Sequence, residues 1–271
     1  MENEKIIALI YDFDKTLSTS DMQNFKFCAD LGLTPQEFWE ICDKYQKENH
    51  IERTLTFLYV MILECKKKGI KLTEEYLNSL GKFIEYYDGV EEWFDRINKY
   101  GKDRGVTVEH YIISSGNREI IKGTSIAKHF KKIFACNYFY DENGIAVWPR
   151  LVVNYTSKTQ CLFRISKGVL DIREDDAVNA KVKHKRVHFS NMIYIGDGVT
   201  DVPCMTLIKE RAGLSIAVYK KSSTTAERLY DDQRVDSSAL ADYTEGSKLD
   251  RIIKAKIDLL ANIDRLSERY H

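Results

Sequence analysis

Residues 6–16 read Ile6-Ile7-Ala8-Leu9-Ile10-Tyr11-Asp12-Phe13-Asp14-Lys15-Thr16, an unbroken apolar run that ends in two acids and a hydroxyl on alternate positions. If the run is a strand, its period of two sets Asp12, Asp14 and Thr16 on one side, near the carboxyl end. Open α/β sheets bind their ligands at that end. Carboxylates that leave a buried strand cost free energy unless a cation or polar ligand compensates them, so the segment asks for a metal or a phosphate. Taken alone, the same letters equally describe a strand running into an acidic turn.

The chain has 271 residues, long enough for one large α/β domain or for a core with a smaller accessory domain. Lysine plus arginine and aspartate plus glutamate number 41 each, so no global field favours nucleic acid or an anionic membrane. A small, locally recognised substrate fits that balance better. The opening Met1-Glu2-Asn3-Glu4-Lys5 lacks the basic region of a signal peptide, and no apolar stretch is long enough to span a bilayer. The six cysteines form no Cys-x-x-Cys pair and read as reduced, structural thiols. These features lead us to expect a cytoplasmic protein.

Helical periodicity takes over after the first strand. The segments 21–31, 34–48, 51–68 and 73–86 each read as a helix, with Thr34-Pro35-Gln36-Glu37 and Thr73-Glu74-Glu75 as start signals. They form a helical insertion. A helix over 90–100 and a strand over 108–113 follow, the strand ending in Ser114-Ser115-Gly116-Asn117. Asp141-Glu142-Asn143-Gly144 predicts a hairpin turn between short aromatic and β-branched stretches. Beyond it come a helix over 157–165, a strand over 192–195, a helix over 203–211, a strand over 214–218 and a closing helix over 246–269. Alternating strands and helices predict a doubly wound, mostly parallel sheet.

Three further stretches carry chemistry. Gly196-Asp197-Gly198-Val199-Thr200-Asp201 follows an apolar strand and places a second acid at a strand end, with glycines that permit a tight turn. Ser114-Ser115-Gly116-Asn117 offers a hydroxyl and backbone amides to an anion. Lys158 sits where a polar approach enters a helix. Each alone is an ordinary turn, cap or surface lysine. Their order along an α/β pattern, each at a strand end or helix start, makes coincidence a poor explanation.

With these motifs the chain resembles the haloacid dehalogenase-like (HAD) superfamily of phosphohydrolases, whose pattern is Asp-x-Asp-x-Thr, then Ser or Thr, then Lys, then an acidic Gly-Asp-x-x-x-Asp loop. The insertion is similar to that superfamily's C1-type helical cap. Ile112-Ile113-Ser114-Ser115-Gly116-Asn117-Arg118 and Ala212-Gly213-Leu214-Ser215-Ile216-Ala217 resemble stretches of its phosphoserine phosphatase-like branch. The resemblance implies an α/β, Rossmann-like core over 1–17 and 87–271 with an α-helical cap over 18–86. It implies a magnesium-dependent phosphatase that works through an aspartyl phosphate.

On that resemblance Asp12 is the nucleophile, Asp14 the general acid and base, and Ser114 and Lys158 stabilise the transferring phosphoryl group. Mg2+ is held by Asp12, Asp14 (through its carbonyl) and Asp197, with Asp201 supporting them from behind. Thr16, Ser115 and Gly116 belong to the substrate site, Thr16 by holding its turn. Asp21 and Arg53 are the cap residues facing the substrate, Asp21 standing where the resembled phosphatases carry glutamate. The branch's Ser-Gly-Gly is Ser-Ser-Gly here, and the stretch from Lys158 to Asp197 is longer than the branch leads one to expect.

The partner expected is a small phosphorylated metabolite, with no nucleic acid and no membrane, and the chain acting as a monomer or homodimer. A phosphotransferase or mutase on the same fold, and a non-enzymatic binding module, remain open. Asp14 argues against a dehalogenase, which lacks the second acid. The basic run Lys181-Val182-Lys183-His184-Lys185-Arg186 follows acidic residues and reads as balanced surface charge, and the helical spacing of His184 and His188 is set among cations that disfavour zinc.

Overall fold

The computed structural model describes residues 5–222 and 224–269. Its centre is β1 (Ile6–Tyr11), in which residues 7 to 11 are wholly buried. A continuous apolar run of this kind suits a strand covered on both faces, each buried Ile or Leu contributing about 1.5–3 kcal/mol. Parallel neighbours flank it, β2 (Thr107–Asn117) on one side and β5 (Met192–Gly196) on the other. The seven-stranded sheet runs β4-β3-β2-β1-β5-β6-β7. Beyond β2 lie β3 (Phe130–Tyr140) and the antiparallel β4 (Ala146–Leu151); beyond β5 lie β6 (Leu214–Tyr219) and β7 (Ser237–Leu240), both parallel. Strand order reverses at β1, so its carboxyl end opens on the crevice where such sheets bind ligands.

Between β1 and β2 the chain forms the helices α1 (Phe27–Asp30), α2 (Pro35–Asn49), α3 (Arg53–Lys68) and α4 (Glu74–Leu80), then α5 (Val90–Lys102), which packs on β2. The two start signals act as expected. Thr34 and Glu37 form a reciprocal capping box, and the Thr73 hydroxyl accepts from the Tyr76 amide at 3.1 Å. Two expected helices are shorter than their periodicity predicts. Residues 21–31 give only a 3-10 turn (Met22–Asn24) and the four-residue α1, because the Met22 amide is spent on the Asp14 carboxylate and the Gln23 amide donates to Asn117. The helix expected to reach Tyr86 stops at Leu80. There Gly81 lies so close to Gly123 that a Cβ would sit 2.4 Å from its carbonyl carbon; the chain tightens into a 3-10 turn (Gly81–Phe83) and becomes extended from Ile84, until Ser18 and Tyr86 pair.

After β2 come α6 (Arg118–Lys122), the predicted hairpin joining β3 to β4, α7 (Tyr155–Lys167) and α8 (Asp175–Asn179). The hairpin turn is closed by the Asp141 carboxylate, which accepts from the amides of Asn143 and Ile145, with Gly144 left-handed at φ 72. The extra length between Lys158 and Asp197 becomes α8 and a loop, tied down by the buried Arg164, which donates to the Asp171 and Ile172 carbonyls. His184 and His188 lie outside any helix, so their spacing carries no shared face. The core closes with α9 (Val202–Glu210) on β5 and β6, α10 (Thr224–Asp231) on β6, and α11 (Lys248–Arg269) beside α5. β7 and α8, at four and five residues, are too short to show a period in the sequence. Among the described residues no helix is long and apolar enough to cross a membrane.

Candidate active site

The parallel register sets Tyr11 opposite both Ile112 and Ile195, so the three chains leave the sheet together. Asp12 still donates its amide to the Ile195 carbonyl at 2.9 Å, while its own Oδ1 accepts from the Phe13 amide at 2.7 Å. Asp12 is buried and Asp14 half-buried. The chain then turns sharply. Leu17 and Ser18 both donate to the Phe13 carbonyl, and Lys15 takes a left-handed φ of 56. Asp14 Oδ1 accepts from the Met22 amide at 2.8 Å.

Beside β1, β2 stays extended through Asn117 rather than ending at Ile113, so Ser114-Ser115-Gly116-Asn117 is strand and not the turn the sequence predicts, while the helix after it does begin at Arg118. The helix that follows has five residues, and Ser114 Oγ instead accepts from the Gly116 amide at 3.0 Å. Gly116 is demanded by space. A Cβ there would lie 2.1 Å from Met22 Cε and 2.9 Å from Asp14 Oδ2, so only glycine lets the strand pass the second acid. The Ser115 hydroxyl is buried with no partner, a donor aimed at nothing in the protein.

Asn154 caps α7 by accepting from the amides of Thr156 and Ser157, which sends Lys158 inward. Its ammonium is fully buried, 3.0 Å from Asp12 Oδ2 and 2.7 Å from Asp201 Oδ1. Burial alone pushes such an ammonium down, yet the two carboxylates outweigh it and hold Lys158 above the ordinary lysine range. Asp201 accepts in addition from the Tyr194 hydroxyl at 2.7 Å and from the Gly198 amide at 3.3 Å. Gly196 makes room for it, since a Cβ there would meet the Asp201 carboxyl carbon at 2.7 Å.

Asp197 completes the group. Asp12, Asp197 and Asp201 offer carboxylate oxygens all within 4.8 Å of one another. Burial first, then the Asp12 and Asp201 charges, push the Asp197 carboxyl up to about 8, and Asp12 is likewise raised by burial and by Asp201. Lys158, with Lys15 at the cavity wall, balances only part of this charge. The donor set, hard oxygens in mutual repulsion, fits a hard divalent cation. Asp201 is wholly buried behind the others and held by Lys158, Tyr194 and Gly198, whereas Asp12 and Asp197 face the open cavity, which makes those two the carboxylates placed to meet such an ion.

Asp12 and Asp197 line a cavity of about 480 Å³ that also brings together Asp14, Asp21, Arg53, Ser114, Ser115 and Gly116 from the sequence reading. Lys158 and Asp201 stand behind its wall. Thr16 does not line it: the residue is fully buried, its hydroxyl has no partner, and its carbonyl accepts from the Tyr243 hydroxyl at 2.9 Å. Sequence reasoning passed over Lys15, Gln23, Trp39 and Phe57 in the lining, and Tyr194 behind it. Trp39 and Phe57 fall on apolar helix faces, and Tyr194 lies inside a buried strand, so each reads as core. A larger cavity of about 730 Å³ lies along residues 81–92 and 123–125 but holds none of the motif residues, so the chemistry belongs to the smaller one.

A doubly wound sheet with acids converging at its switch point defines a class, the open α/β proteins that bind ligands at strand carboxyl ends. The chain belongs to the haloacid dehalogenase-like hydrolase family, whose sequence model matches residues 9–206. An uncharacterised protein from Borreliella burgdorferi is 31% identical over 290 residues, covering 95% of this chain and 99% of that one. Among solved structures, a HAD family hydrolase from Salmonella enterica subsp. enterica serovar Typhi overlays with a TM-score of 0.60 at 16% identity, over 94% of this chain and 72% of that one. A substrate-bound phosphoserine phosphatase overlays with a TM-score of 0.57 at 17% identity, over 93% and 99%. At these identities the two structural likenesses speak for the fold.

Proposed function

We propose that the chain is a magnesium-dependent phosphatase that hydrolyses a small phosphate monoester through an aspartyl phosphate on Asp12. One observation carries this reading: the Asp12 carboxylate is held at 3.0 Å by the buried Lys158, with Asp14 entering the same cavity two positions later. A carboxylate attacks without first losing a proton. Asp12 Oδ attacks phosphorus in line, the ester P–O bond breaks, and Asp14 gives its proton to the departing oxygen. Asp14 then takes a proton from the water that attacks the phosphoryl group, which releases inorganic phosphate and restores Asp12.

Burial, reinforced by the Asp21 and Asp12 charges, raises the Asp14 carboxyl well above the usual range, which suits a group that must carry a proton. Lys158, the Ser114 hydroxyl and the amides near Ser115 and Gly116 stabilise the phosphoryl oxygens as charge spreads over them. Mg2+ would be held by the Asp12 and Asp197 carboxylates and the Asp14 carbonyl, where it would neutralise phosphoryl charge. Asp201 orients Lys158 and keeps it charged. Residues 18–86 serve as a C1-type cap over the core of 1–17 and 87–271, with Leu17–Ser20 and Tyr86–Gly89 as hinges. All six cysteines are buried and unpaired, which suits the reducing cytoplasm.

The test is release of inorganic phosphate from 4-nitrophenyl phosphate with Mg2+ and no other acceptor present. Turnover is expected to vanish with a chelator and to return with Mg2+. Asp12→Asn should fall by a factor of about 10³ or more, since a neutral amide oxygen cannot replace the carboxylate as the attacking nucleophile. Full magnesium-dependent activity in Asp12→Asn would rule the scheme out.

A further inference from the structure

Once the reaction takes Asp12, Asp14 and Asp197, the charged groups left in the cavity wall are Lys15, Asp21 and Arg53. Asp21 is not free. Its Oδ2 lies 2.6 Å from the Lys15 ammonium, an intramolecular partner that already answers its charge. Arg53, the first residue of α3, makes no ion pair among the described residues; the helix's amino end is already capped by the Glu52 carboxylate, which accepts from the Leu55 amide at 2.9 Å, so the Arg53 guanidinium is the cation left to meet a substrate anion. The other polar groups nearby are spent. The Gln23 amide donates to Asn117 at 3.0 Å and the Trp39 indole to Asn24 at 2.8 Å, leaving Trp39 and Phe57 to offer apolar surface.

Lys15 itself stands at φ 56, a left-handed position that costs a non-glycine residue about 1 kcal/mol and that glycine would occupy freely. A side chain kept there against that cost points to a role for the side chain.

We infer that Lys15 is a substrate-selecting residue: by occupying Asp21 it removes the pocket's receptor for an ammonium group, so the site takes phosphate monoesters that carry a second anion and no amine. The inference rests on the phosphatase reading above and refines it. With Asp21 neutralised, the substrate-facing end of the pocket has a net single positive charge from Arg53. A second carboxylate or phosphate on the substrate meets that charge directly, whereas an ammonium must displace Lys15 before it meets Asp21, the one carboxylate in the wall that the reaction does not use.

The experiment compares kcat/KM on three small esters that differ in which charged groups they carry beside the phosphate: 3-phosphoglycerate (carboxylate, no amine), phosphoserine (both) and phosphoethanolamine (amine only), with 4-nitrophenyl phosphate as reference. The wild type should prefer 3-phosphoglycerate to phosphoethanolamine by about tenfold or more, the worth of one hydrogen-bonded charge pair. Lys15→Gly relaxes the backbone while freeing Asp21, and it should shift that ratio toward the amines by a similar factor. Arg53→Gln should lower the preference for the carboxylated ester. The readout is the ratio between substrates within each variant, which a general loss of activity does not move. A wild type that prefers phosphoserine or phosphoethanolamine, or a Lys15→Gly ratio equal to wild type, overturns the inference while leaving the phosphatase reading intact. Failure to hydrolyse 4-nitrophenyl phosphate and every other ester overturns both.

Discussion

Lys158 carries its charge where no solvent reaches, and the two carboxylates around it make the arrangement tolerable. Removing one partner from such a group strands the others. Lys158→Met is expected to destabilise the fold by about 3–5 kcal/mol in metal-free buffer, read by urea unfolding, because Asp12 and Asp201 would face each other unpaired. An unchanged midpoint would mean that the acids are not charged together. Gly116 makes the opposite kind of demand, for absence. In Gly116→Ala the flexible Met22 side chain can move aside, but Asp14 Oδ2 is pressed from 2.9 Å. Activity should therefore fall much further than stability, which is expected to drop by about 1–3 kcal/mol. Calorimetry beside a phosphate-release assay separates the two effects.

The elements owe their positions to buried polar links as well as to apolar faces. The Trp93 indole of α5 donates to the Tyr11 hydroxyl at 2.8 Å, Tyr11 lies 3.0 Å from His110 Nδ1, and His110 Nε2 lies 3.0 Å from Asn98 Oδ1. Neutral imidazole satisfies this chain by accepting from Tyr11 and donating to Asn98. Burial, with a smaller push from His129, lowers the His110 pKa from 6.5 to about 3. Between those values the unfolded chain binds the proton and the folded one does not. Stability from this group is thus complete above pH 6.5 and declines as pH falls toward 3, by at most about 1.4 kcal/mol per unit. Urea titrations at several pH values should show His110→Gln with a shallower acid decline than wild type. Parallel curves would refute the neutral buried imidazole.

Elements also show where local pattern misleads. The 3.6-residue period runs on past Leu80 in the sequence, yet the close approach of Gly81 to Gly123 ends the helix there. At Ser114–Asn117 the reverse holds. Glycine and serine read as a turn, but pairing along β3 reaches Asn117 opposite Cys136 and keeps the segment extended. Both outcomes depend on partners tens of residues away, which no local window contains.

At the scale of the molecule, the helical insertion and the core meet across two crossing segments. Thr19 donates to the Glu85 carbonyl at 2.9 Å and Tyr87 to the Leu17 carbonyl at 3.0 Å, so both passages between the units are hydrogen-bonded to each other. If residues 18–86 close over bound phosphate, Mg2+ with orthovanadate should slow amide exchange in peptides covering residues 34–57 while leaving β5 unchanged. Equal protection everywhere, or none, would count against a closing cap.

The sequence by itself determined the alternation that builds a parallel sheet, the acids at two strand ends, the serine, the lysine and the helical insertion. Those signals are local, because a buried strand must be apolar and a tight turn needs glycine. Only the tertiary structure decided which of them meet: that Lys158 lies between Asp12 and Asp201, that Thr16 is buried away from the cavity, and that Lys15 claims Asp21. Charge pairing and burial are properties of distance in space, and distance in space is set by the register of strands far apart in the chain.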